Sequence, residues 1–222
     1  MFRDAALIAG KDLRLEARAR VALNQVAPFA LLVLVLFAFA LDPDRGVLDR
    51  ATPGLYWVAV LFASLLAVQR AFAVESADGV RDGLRLSGLD PAGIFLGKVL
   101  AVSVQLLVLE VLLLVGVVVL YDADPGGLAL VVPTCLAATL GLAAAGTLYG
   151  VLAAGLRVRE TILPLLLLPV VAPVLIAATQ AFEAGFDDRL GEGWRWLGLL
   201  ALFAAAYLGL GLLVFDTLLE DG

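Results

Sequence analysis

The chain has 222 residues, of which 63% are hydrophobic and only 16% charged, with a mean hydropathy of +1.04. That much apolar surface excludes a water-soluble globular domain, and the formal charge of −6 argues against nucleic acid as a partner. Histidine is absent and cysteine occurs once, at Cys135, so the usual general base, the commonest metal and haem ligand and any intrachain disulfide are all missing.

A helix crossing a bilayer core of roughly 30 Å needs about 20 apolar residues, and the chain is long enough for six. The expected fold is an all-α membrane protein: six transmembrane helices, an N-terminal amphipathic interfacial helix and a cytoplasmic coupling helix between spans two and three. Residues 1–20 repeat Phe2, Ala5, Ala6, Ala9, Leu13 and Ala17 at helical spacing, with Arg3, Lys11, Arg14, Arg18 and Arg20 at the edges. That pattern predicts a helix lying flat on the membrane surface, its cations reaching anionic headgroups. The long, mixed-charge start does not have the form of a cleavable signal peptide.

The spans are read as 21–41, 55–74, 98–121, 129–156, 161–182 and 194–215, within a single transmembrane domain covering 1–222. Turns rich in Asp, Pro and Gly, at Asp42–Gly46 and Asp122–Gly127, separate the first two and the third and fourth spans. Pro53-Gly54 is expected to open the second span, with Tyr56 and Trp57 at its outer interface; Trp194 and Trp196 mark the entry to the sixth. Six spans place both termini on one side. Of the 15 lysines and arginines, 11 fall in the N-terminal segment, the Arg70–Lys98 loop and the Arg157–Arg159 turn, so that side is read as the cytoplasm.

The longest polar interruption is the loop 75–97. On a helix, Glu75, Asp78 and Asp82 form one acidic stripe, with Arg81 and Arg85 beside it and Leu84, Leu86 and Leu89 as apolar knobs. Asp90 and Pro91 have the residue types of an N-cap and an N1 position, so a helix should start there and lead into the third span. Two readings stand: a lever held in a partner's groove, and a solvated connector.

Within the spans, Glu110 is the one carboxylate near a membrane midplane. Charged and lipid-facing it would be costly, so it is expected to be protonated or turned inward. It either lines a pathway together with Gln105 or is hydrogen-bonded as a neutral acid to Gln105, Gln180, a threonine or a carbonyl. Gly146 and Gly150, with Ala143 and Ala154 on the same face, form a small-residue helix-packing surface, as do Ala201, Ala205 and Gly209. Pro164, Pro169 and Pro173 mark the fifth span as a hinge or a fixed bend. There is no phosphate-binding loop, zinc motif or nucleophile elbow. Any uphill work must therefore be powered from elsewhere, which favours a separate ATPase.

Glu75, Gly79, Leu86, Ser87, Pro91 and Gly97-Lys98 resemble the cytoplasmic loop of ABC-2-type permeases. The segments PGLYWVA and SLLAVQRAF, with the proline-rich LPVVAPVLIAA from Leu168 to Ala178, are similar to the CcmB family, the permease subunits of the cytochrome c maturation ABC complex. The sequence departs from the family pattern where Val80 follows Gly79, and Glu110 matches none of its motifs. The resemblance implies a non-catalytic subunit of the cytoplasmic (inner) membrane acting in haem export or delivery. A cytosolic ATPase would bind ATP and engage Glu75, Asp78, Gly79, Asp82, Arg85, Leu86, Ser87, Pro91 and Lys98. It further implies pairing with a second copy or another membrane subunit, with haem as a transported or handled ligand. Lacking histidine, the chain would act through conformational change rather than tight haem ligation. The alternatives are an ABC-2 permease for a lipid or drug, and a non-transporting assembly scaffold.

Overall fold

The computed structural model describes every residue except 21, 42–44, 74–87, 124–126, 155–158, 188 and 222, and the described residues are helical almost throughout. The elements are α1 (Phe2–Ala19), a π-helical turn (Ala22–Val26) running into α2 (Ala27–Leu41), α3 (Arg45–Ala73), α4 (Pro91–Tyr121), α5 (Leu128–Ala154), α6 (Arg159–Phe186) and α7 (Leu190–Asp221). Six of these, α2 to α7, are long and apolar enough to cross a membrane. The polypeptide is a multi-pass membrane protein.

Several helices overrun the lengths expected from hydropathy. The 31 residues of α4 span about 46 Å at 1.5 Å per residue, longer than a 30 Å core. Its start is built as the sequence requires: Gly88 turns with φ +67°, Asp90 caps the helix by accepting from the Ala92 amide at 3.0 Å, and Pro91 needs no amide partner. In α3 the helix already begins at Arg45, and Pro53 lies inside it rather than opening it. Tyr56 and Trp57 consequently fall about three turns into the helix. Each is 1% exposed and packs against Phe182 of α6, Tyr56 stacked at 4.8 Å and Trp57 edge-on at 5.2 Å. The interfacial placement expected for these two rings is therefore corrected: they are core.

The bundle is centred on α3, α4 and α5. Helix α4 touches α1, α2, α3, α5 and α7, while α3 touches α2, α4, α5 and α6. Alanines 143–145 of α5 are fully buried, and small residues let the helices approach closely where lipid offers no hydrophobic force. Gly146 faces Val68 of α3, where an added Cβ would come within 2.6 Å of a methyl group, and Gly150 faces the ring of Phe72. These two glycines thus pack helices of one chain together. Gly150→Val should lower the melting temperature in detergent, the overpacking costing about 1–3 kcal/mol. Gly54→Ala, whose added Cβ has no heavy atom within 4 Å, is the control and should leave it unchanged. Equal melting of both variants would contradict the packing assigned to Gly150.

Candidate functional site

Helix α1 does more than lie on the surface. Its buried face is Ala5, Ile8 and Ala9, continued by the mostly covered side chains of Asp12 and Glu16. Phe2, Leu7 and Leu15 point outward, with Phe2 78% exposed, so the outward apolar face differs from the one read from the sequence. The buried face docks on the first turns of α4 at Gly93 and Gly97. A Cβ at Gly97 would lie 2.6 Å from the Ile8 Cβ and 2.7 Å from the Ala5 carbonyl oxygen; one at Gly93 would lie 2.8 Å from the Met1 carbonyl oxygen. Only glycine permits so close a seat.

Polar contacts then fasten α1 to both ends of the loop between α3 and α4. At the exit, the Asp90 amide donates to Asp4 Oδ2 at 3.4 Å. Two turns into α4, Lys98 is 2% exposed, with its Nζ 3.8 Å from Asp12 Oδ2 and 4.8 Å from the centre of the Phe72 ring. At the entry, Arg70 Nε donates to Glu16 Oε2 at 3.1 Å. Lys98, which the family resemblance offers as a contact for a cytosolic ATPase, is buried beneath α1 and joins α1, α3 and α4. Pro91 starts α4. Glu75, Asp78, Gly79, Asp82, Arg85, Leu86 and Ser87 lie outside the described residues.

Beside this junction a cavity of about 480 Å³ enters the bundle, lined by the Glu16–Arg70 pair, by Gln25, Gln69 and Gln105, and by apolar side chains including Leu106, Leu109 and Leu163. That size is ordinary for a small-molecule site. Phe29 and Leu66, each about half exposed, form its open edge. Gln105 is thus on the cavity wall, whereas Glu110 is not: its carboxyl is packed between α4 and α5, where Thr139 donates to Oε1. The structure does not bring these two residues together. Of the alternatives for Glu110, hydrogen bonding to a threonine is the one observed. Pro164, Pro169 and Pro173 all lie within the continuous helix α6, with Pro169 and Pro173 exposed on its outward face. At the opposite end, Arg189 binds Glu183, Asp187 and Glu192 between α6 and α7, and Asp187 foremost raises its already high pKa.

The family model for CcmB protein matches residues 3–218, from the first turn of α1 to the last turns of α7. The chain belongs to the CcmB family. Among its relatives, heme exporter protein B of Paracoccus denitrificans is 31% identical over 184 residues, covering 79% of this chain and 80% of the relative. Heme exporter protein B of Haemophilus influenzae is 30% identical over 199 residues, covering 90% and 88%. That of Escherichia coli K12 is 33% identical over 161 residues, covering 70% and 71%.

In this CcmB chain, sequence reasoning passed over Asp12 and Glu16, and did not give Gln25 or Gln69 a place in the site. A signal for the two acids was available. They stand four apart on the face that carries Ala5, Ile8 and Ala9, where acids are out of place unless a cation faces them. Attention to the cationic edge of α1 hid it. The glutamines carry no such signal, because only the packing of α2, α3 and α4 brings Gln25, Gln69 and Gln105 to one cavity.

Proposed function

We propose that the chain is the membrane-spanning subunit of an ABC-type complex that exports or delivers haem for the assembly of c-type cytochromes. It would be driven from the cytoplasm by a separate nucleotide-binding subunit. Family membership supports the system, and the excess of lysine and arginine on one side supports a cytoplasmic α1, loop and C-terminus. The observation that carries the mechanical reading is the fastening of α1 to Arg70 on one side of the loop and to Asp90 and Lys98 on the other.

A partner that pushed the loop at one end would load the other end as well, through α1. Glu16–Arg70 and Asp12–Lys98 tie α3 and α4 to the same rigid helix, so displacement of the loop would tilt α1 and both spans as a unit. The cavity adjoins this unit and shares Glu16 and Arg70 with it, so the same motion would reshape its mouth. Its walls offer apolar surface and carboxamides, and the chain has no histidine. Haem handled there would be held by its rim rather than through an axial bond to iron, which suits release over storage. Six spans are half of a usual ABC membrane complement, so a second copy or another membrane subunit completes the assembly.

Mild-detergent purification from the native membrane tests this. A nucleotide-binding protein and a further membrane subunit should copurify, and ATP hydrolysis should be measurable in the complex. A preparation that restores c-type cytochrome assembly with no nucleotide-binding protein present would overturn the proposal.

A further inference from the structure

The mechanism above makes no use of Glu110, and its surroundings are unusual. The residue lies inside the bundle with 2% of its surface exposed. Thr139 Oγ1 of α5 donates to Oε1, while Oε2 is buried without a hydrogen-bond partner. From α3, the Tyr56 hydroxyl approaches but donates to the main-chain carbonyl of Glu110, at 3.2 Å, rather than to the carboxyl. That hydroxyl also lies 3.6 Å from the Cys135 sulfur of α5. The groups acting on the carboxyl are thus a threonine hydroxyl, a cysteine thiol and a tyrosine hydroxyl; no lysine or arginine pairs with it among the described residues.

An ionised carboxylate here would have one donor, no counter-ion and an unsatisfied oxygen in a low-dielectric interior, which is the expensive arrangement. A neutral acid resolves it. The carboxyl still accepts from Thr139 at one oxygen, and a proton on the other removes the charge that has no counter-ion here. We propose that Glu110 is a proton-binding site inside the membrane: its carboxyl holds a proton at neutral pH, and the protonated acid clips α4 to α5 through Thr139 and lies against α3 at Tyr56. The ligand is a proton, taken up without any covalent or redox change in the protein.

Infrared difference spectroscopy of the purified protein in lipid nanodiscs reads this directly. Wild type minus Glu110→Gln at neutral pH should show the carbonyl stretch of a neutral carboxylic acid, shifting on transfer to heavy water. If Glu110→Gln fails to fold, Thr139→Val keeps the test alive. It leaves the acid in place but removes its one donor, so the same band should move to higher frequency rather than vanish. A carboxylate band in place of the acid band at neutral pH, or an acid band unmoved in Thr139→Val, would overturn the proposal. A sodium-dependent carboxylate signal would overturn it in favour of a bound cation.

Discussion

Gly97→Val should lift α1 off the bundle while leaving the six spans assembled. The new Cβ would fall 2.6 Å from the Ile8 Cβ, 2.9 Å from its Cγ2 and 2.7 Å from the Ala5 carbonyl oxygen. The last of these is backbone and cannot turn aside as a side chain can. Overpacking of this kind costs about 1–3 kcal/mol. Here the cost falls on a single interface, so at ~1.4 kcal/mol per factor of ten the docked fraction of α1 should drop roughly five- to 150-fold relative to the undocked. Hydrogen exchange over residues 2–19 should rise sharply, exchange in α5 should stay as it was, and the yield of c-type cytochromes in cells should fall about tenfold or more. Gly10→Ala on the same helix, with nothing within 4 Å of its new Cβ, is the matched control. Unchanged exchange in Gly97→Val would mean that α1 is not held by this seat.

The second large effect is expected at Lys98. Its ammonium is the cation between Asp12 on α1 and the Phe72 ring on α3, and at 2% exposure it has little access to water. Lys98→Met keeps the length and the apolar stem but leaves Asp12, 14% exposed, with Lys11 at 2.9 Å as its remaining cation among the described residues. Breaking a buried pair costs roughly 3–5 kcal/mol. The neighbouring Lys11 reduces that, so a loss of about 2 kcal/mol is expected. A lower melting temperature should be accompanied by looser α1 exchange, and adding Asp12→Asn should restore part of the loss by removing the stranded charge. A double-mutant cycle with no coupling between the two positions would contradict the pairing. The outer pair Glu16–Arg70 should matter less, about 1 kcal/mol at most, because Arg70 is 35% exposed.

Much of the fold is legible from one physical fact, that long apolar runs interrupted by charged turns fold as spanning helices. The six spans and the Asp90–Pro91 start of α4 follow from hydropathy and capping chemistry alone. Helix ends are less legible, because an amphipathic turn costs little on either side of the interface: α3 begins at Arg45, and Pro53 is absorbed within it. That offset moved Tyr56 and Trp57 from an interfacial position into the core. The glycine pairs were legible as close-packing positions, but their partners were not, since nothing local says that Gly150 meets Phe72. The fastening of α1 was the least legible part. It depends on Asp12, Glu16, Arg70 and Lys98, which are remote in sequence and meet only where α1 packs across α3 and the first turns of α4. Glu110 was identifiable as anomalous from its position alone, while its separation from Gln105 needed the packing of α4 against α5.

Deleting Ser76 to Gly88 tests most directly whether the loop held by α1 is where a nucleotide-binding subunit takes hold. The variant and the wild-type chain would be purified from the native membrane under the same conditions, with bundle integrity checked by melting temperature. The deletion should leave the bundle folded, strip the ATPase from the preparation and abolish c-type cytochrome assembly. A folded variant that still copurifies with a stimulated ATPase would show that the drive enters the molecule elsewhere.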